Sequence, residues 1–162
     1  MPDLTPLAAS VGALLKERQQ NIAVADSSAG GLISASLLSV PGASAYYVGG
    51  IVSYTGVSRG ALLGISDEDM AKAGMRASTE PYAALIAKTV REKFGTTWAL
   101  SETGASGPTG NRYGDASGHA CFAVSGPVER TITLETRSAD REANMWAFTK
   151  AALELLEQCL KG

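Results

Sequence analysis

Val24-Ala25-Asp26-Ser27-Ser28-Ala29-Gly30-Gly31 is the stretch on which the reading of this chain turns. Apolar residues from Ile22 lead into it, and Leu32-Ile33-Ser34-Ala35-Ser36-Leu37-Leu38 follows at helical spacing. That order predicts a strand end, a tight polar turn and a helix start. Such a turn sets two hydroxyls beside helix N-terminal N–H groups, an arrangement that holds an anion or a developing oxyanion. The plainer alternative is that Ser27 or Ser28 only caps the helix.

Working outward, Leu4, Leu7, Ala8, Val11, Leu14 and Leu15 predict an amphipathic first helix with Thr5 as its cap and Pro6 just inside. The helix after the turn should run from about Gly31 to Val40, where Pro41-Gly42 stops it. Gly49 to Tyr54 reads as a second strand, Ser66 with Asp69 as a capping box, and Ser78 or Thr79 as the start of a longer helix that Gly95 ends. Thr97 to Ser101 is a third strand. Glu102-Thr103-Gly104-Ala105-Ser106-Gly107-Pro108-Thr109-Gly110-Asn111 has loop composition, and the loop should extend to about Gly118. That length points either to function or to mobility. Gly118–Ser125 and Val128–Thr136 alternate as an antiparallel edge hairpin, and Ser138 or Asp140 starts a closing helix. Strands alternating with helices, then a hairpin, predict a mixed sheet in a single-domain α/β sandwich over residues 1–162.

Bulk properties exclude several classes. The chain has 162 residues, 45% of them hydrophobic, and a net charge of −2. This is the composition of an ordinary globular domain, without the basic footprint of a nucleic-acid binder. No apolar run approaches the ~18 residues of a membrane span. Met1-Pro2-Asp3 begins no signal peptide, and Cys121 and Cys159 read as reduced, buried thiols. A cytoplasmic location without membrane partners is the expectation. One histidine and two cysteines make a structural zinc improbable, and no metal or cofactor is called for.

Taken in order, these motifs resemble the CinA C-terminal domain family, whose best-known members are nicotinamide mononucleotide amidohydrolases of the PncC type. The family's Ala-Glu-Ser-Cys-Thr-Gly-Gly turn corresponds to Ala25-Asp26-Ser27-Ser28-Ala29-Gly30-Gly31, and its Pro-Gly-Ser-Ser-Ala segment to Pro41-Gly42-Ala43-Ser44-Ala45. Its Thr-Gly-Ile-Ala-Gly-Pro loop corresponds to Thr103-Gly104-Ala105-Ser106-Gly107-Pro108, and its Asp-Arg pair to Asp140-Arg141. The resemblance implies a three-layer α/β/α sandwich with a mixed β-sheet, usually a homo-oligomer, and a phosphorylated small molecule as substrate or ligand. It implies Ser27 as nucleophile and a pocket lined by Ser44, Tyr54, Thr103 and Gly104, with Arg141 pairing to phosphate. Ser28, Gly30 and Gly31 belong to the turn that would bind substrate, and the Gly30-Gly31 N–H groups would serve an oxyanion or a phosphate.

The chain also departs from the family pattern. Where the family continues Tyr-Ser-Asn-Glu-Ala-Lys, with that Lys working with the Ser, this chain has Tyr54-Thr55-Gly56-Val57-Ser58-Arg59. Lysine can lose a proton when buried, whereas arginine in effect cannot. The family's Thr is Ala29, and Glu102 stands where the family has an uncharged residue. A replacement base could be Glu102, Asp26 or His119, although a sole histidine in an apolar strand is more often structural. Two functions follow: an amidohydrolase acting on nicotinamide mononucleotide or a related phosphorylated amide, or a non-catalytic nucleotide- or phosphate-binding member.

Overall fold

Every residue of β1 (Ile22–Asp26) is buried, which fits a strand with neighbours on both edges and helices on both faces. The computed structural model describes residues 2–162. In it, β2 (Tyr47–Val52) and β3 (Trp98–Ala105) flank β1 in parallel. β4 (His119–Ser125) and β5 (Arg130–Glu135) continue the sheet antiparallel, in the order β2-β1-β3-β4-β5. Helical crossovers impose the parallel half, and the connections without a helix, the loop 106–118 and the short turn through Gly126-Pro127, permit the antiparallel one.

Alternation along the strands divides the interior into two cores. Ile22, Val24, Leu100 and Phe122 face α1 (Thr5–Glu17), α2 (Leu32–Leu38) and α6 (Arg141–Lys161). Ala23, Ala25, Ala99 and Ala123 face α5 (Glu80–Phe94), and Leu63 of α3 (Gly56–Leu63) and Met70 of α4 (Asp67–Lys72) complete that side. Alanines keep the second face thin, so α5 lies close to the strands. The result is the expected three-layer sandwich with a mixed sheet. No helix among the described residues is long and apolar enough to cross a membrane.

Several boundaries differ from those the sequence predicts. Helix α2 ends at Leu38 rather than Val40, and β2 lies two residues earlier than expected. The N-cap of α1 is Leu4, not Thr5, with no side-chain cap; Asp3 Oδ1, one residue earlier, accepts from Thr5 N at 3.0 Å. Helix α3 has no counterpart in the sequence reading; Thr55 and Ser58 form its capping box. The largest change is in β3, which runs through Glu102-Thr103-Gly104-Ala105 in register with Phe122 to His119. A polar, glycine-bearing segment fits a central strand here because a Cβ on Gly104 would lie 2.5 Å from the His119 carbonyl oxygen. Only glycine permits that approach. The capping box at Ser66–Asp69, the start of α5 at Thr79, its stop at Gly95 and the edge hairpin are as read from the sequence.

The three parallel strands end on one side of the sheet. There the turn after β1, the link after β2 and the loop after β3 emerge together, the usual place for ligands in open α/β sheets.

Candidate functional site

The turn Ser27–Gly31 is held from below. Glu102, wholly buried in β3, accepts from Ser27 N and Ala29 N through Oε2, both at 2.9 Å, and from Ser28 Oγ through Oε1. Asp26 accepts from Ile33 N at 3.2 Å and Ser34 Oγ at 3.0 Å, and Gly30 N donates to the Ser27 carbonyl at 3.0 Å. Gly30 and Gly31 take φ of +68° and +92°, which lets the chain reverse without a side-chain clash. Burial raises the Glu102 carboxyl to about 7, against the pull of its hydrogen bonds to the turn. Burial likewise raises Asp26 to about 6.

Above the turn lies a cleft of about 360 Å³. Ser27, Ser53, Thr103 and Gly104 form its inner wall, and Tyr54, Arg59 and Tyr82 one side. Asn111, Arg112 and Tyr113 cover the other from the loop after β3. Arg59 is clamped, with Nε donating to the Ile65 carbonyl at 3.0 Å and Nη2 to Asp67 Oδ1, while Tyr82 lies against the guanidinium. Its side chain is 9% exposed, whereas that of Asp67 is 93% exposed. The Ser53 hydroxyl is buried without a partner among the described residues. Thr103 Oγ1 accepts from Ser78 N at 3.1 Å, so its own proton is free to donate.

Residues 4–160 match the CinA C-terminal domain family. The chain belongs to that family. A CinA-like protein from Gloeobacter violaceus is 35% identical over 96% of this chain and 37% of its own length, and one from Chlorobium limicola is 36% identical over 92% and 35%. The chain thus spans roughly a third of these relatives. Among solved structures, a competence-damaged protein (CinA) superfamily protein from Klebsiella pneumoniae superposes with a TM-score of 0.90 at 22% identity, covering 99% of both chains. A competence/damage inducible protein from Agrobacterium tumefaciens gives 0.87 at 24% identity, covering 100% of this chain and 98% of its own. At these identities the structures establish the fold.

In this CinA domain Ser27, Tyr54, Arg59, Thr103 and Gly104 meet in one cleft although they are scattered along the sequence. The other six expected residues, Ser28, Gly30, Gly31, Ser44, Glu102 and Arg141, are not among those lining the cleft. Ser44 is exposed and sits three residues before β2, whose first residue pairs with the first residue of β1. That is the far end of the sheet from the cleft. Glu102 faces the underside of the turn, where both oxygens accept from the turn and do not reach the cleft. At the Gly30-Gly31 helix start, Gly30 N donates to the Ser27 carbonyl, while the neighbouring Ser27, Ala29 and Ile33 amides donate to Glu102 and Asp26. Ser28 is buried against Glu102 rather than facing a ligand. Arg141 lies at the rim, donating to the Gly107 carbonyl and, at 3.1 Å, to the Tyr54 hydroxyl.

The alternative bases are engaged elsewhere. His119 has one ring nitrogen on Glu135 and the other 2.8 Å from the Ser78 carbonyl. Burial pulls its pKa down, but Glu135, Ser78 and Asp115 together outweigh that and leave it raised. The long loop is tied rather than loose. Asn111 Oδ1 accepts from Tyr113 N and Asp115 N, and Asp115 pairs with Arg76 at 2.8 Å. Arg76 and Arg112 lie 4.9 and 5.0 Å from the Tyr113 ring centre. Arg112, Tyr113, Tyr82 and Ser53 are cleft residues that the sequence reading did not single out; the unusual length of their loop was the one signal for the first two.

Proposed function

We propose that this CinA-family chain binds a phosphorylated small molecule of the nicotinamide mononucleotide kind in the cleft and does not hydrolyse it efficiently. The observation that carries this reading is the clamped Arg59, a permanently protonated donor beside Ser27 where an amidase needs a proton acceptor. Asp26 and Glu102 each give one oxygen to backbone amides and the other to a serine hydroxyl, and His119 is bound to Ser78 and Glu135. The cleft wall carries Arg59 and Arg112 against Asp67 alone, a positive balance on a chain of net charge −2. Arginines of this kind suit phosphate and carboxylate. Buried free thiols at Cys121 and Cys159 support a cytoplasmic setting.

One observation favours amide hydrolysis as a second reading: the Ser27 hydroxyl borders the cleft and has no hydrogen-bond partner among the described residues. In that reading its oxygen adds to the carboxamide carbon, the C–N bond breaks, and ammonia leaves with the serine proton. Water then cleaves the ester, giving the carboxylate and free Ser27. Calorimetric titration with nicotinamide mononucleotide, its deamidated counterpart and the two phosphate-free ribosides separates the readings, alongside an ammonia assay. Binding should weaken at least about tenfold without the phosphate, as for a lost charged pair. Ammonia release should not exceed that of Ser27→Ala. Release well above that blank would establish the amidohydrolase instead, and no binding of either nucleotide would end the binding proposal.

A further inference from the structure

Resting on that binding reading, we propose that the cleft selects the carboxylate form of the nucleotide over its carboxamide, with Arg59 as the residue that makes the choice. The cleft lining is rich in donors. Arg59 spends Nε on the Ile65 carbonyl and part of Nη2 on Asp67, leaves further N–H groups, and lines the cleft. Thr103 has a proton to give, because its oxygen already accepts from Ser78 N. The Ser53 hydroxyl is buried and unpartnered, and Ser27 stands beside it on the cleft wall.

A carboxamide offers one acceptor oxygen and an NH2 group with two donors. Set against a guanidinium, that NH2 faces donors and leaves buried groups unpaired, the arrangement that proteins use to reject a ligand. A carboxylate offers acceptors only, and its two oxygens match the guanidinium fork. The anchors of Arg59, Ile65 in the link after α3 and Asp67 at the first residue of α4, hold the fork in place before ligand arrives. Asp67 offsets part of the charge, but it is 93% exposed and therefore well screened by solvent. The phosphate then falls to the other cation of the cleft lining, Arg112, beside Tyr113 on the loop. The protein accordingly reads the product of an amide hydrolysis rather than its substrate.

The test compares affinities for nicotinamide mononucleotide and nicotinate mononucleotide by calorimetry at pH 7.5, on the wild type, Arg59→Gln and Arg112→Gln. The wild type should bind the carboxylate form about 10- to 100-fold more tightly, the range of a hydrogen-bonded charge pair. Arg59→Gln should erase that preference, and Arg112→Gln should weaken both nucleotides by a similar factor. The wild-type comparison stands without any variant, so a variant that fails to fold leaves it intact. Equal affinity, or tighter binding of the amide, would overturn the selectivity while the binding reading survives. No binding of either nucleotide would overturn both.

Discussion

Glu102→Ala is expected to lower the unfolding free energy by about 2–6 kcal/mol, because it strands two buried donors at about 1–3 kcal/mol each, together with a third that is half-buried. Those donors are Ser27 N, Ala29 N and Ser28 Oγ, all of which Glu102 receives. Among the described residues Glu102 is the one acceptor recorded for all three, and it is buried. Urea unfolding would measure the loss. A cost below about 1 kcal/mol, the worth of one ordinary hydrogen bond, would mean that the turn supports itself.

Glu102→Gln isolates the charge. The folded carboxyl titrates at about 7 rather than 4.5, with burial as the main cause. The folded state therefore holds a proton that the unfolded chain releases between those values. Stability from this group is fully present below pH 4.5 and is lost as pH rises to about 7, on the order of 3 kcal/mol by linkage. Asp26, raised to about 6, and His119, also raised, act in the same direction. The wild type should thus lose stability from pH 5 to pH 8, and the Gln variant should lose measurably less. Parallel curves for the two proteins would show that Glu102 does not titrate in that window.

The first turn is readable from its own letters: a buried strand, polar residues, two glycines and an apolar helix follow one another in the seventeen positions from Ile22 to Leu38. Its support is not readable locally. Glu102 reaches the turn only because β3 lies beside β1, with Ser101 opposite Ala25, a pairing across about 75 residues. Seen as sequence, Glu102-Thr103-Gly104 has the composition of a loop. The strand is decided by what meets it, namely the amides above Glu102 and the His119 carbonyl against Gly104. Ser44 shows the opposite failure. A motif near a strand does not say which end of the strand it lies on, and this one lies at the wrong end for the cleft. Helix α3 escaped notice because Gly56, Ser58 and Gly60 are poor helix formers, and its box closes through Ser58 rather than the usual Glu or Gln.

Arg59→Lys combined with Asp67→Asn is expected to raise ammonia release from nicotinamide mononucleotide by about 10²-fold or more, the contribution of a positioned general base. The two changes belong together. Lysine at 59 would sit where the present side chain is 9% exposed, and desolvation there lowers an ammonium pKa toward neutrality. Asp67, in contact with this position now, would hold the ammonium protonated and oppose that shift. Neutral asparagine removes the opposition while keeping a polar side chain at the first residue of α4. Once lysine is unprotonated it can take the Ser27 proton as the serine oxygen attacks, and return it to the departing ammonia. Turnover should therefore rise with pH through the lysine pKa, since only the neutral amine accepts a proton. The same double variant with Ser27→Ala should fall back to the blank, and Arg59→Lys alone should show a smaller gain with its rise displaced to higher pH. Absence of any gain in a folded double variant that still binds the nucleotide would show that Ser27 is not a nucleophile waiting for its base. Wild-type turnover that the lysine destroys would mean that the arginine itself serves catalysis, by orienting the amide for a base the cleft recruits from solvent.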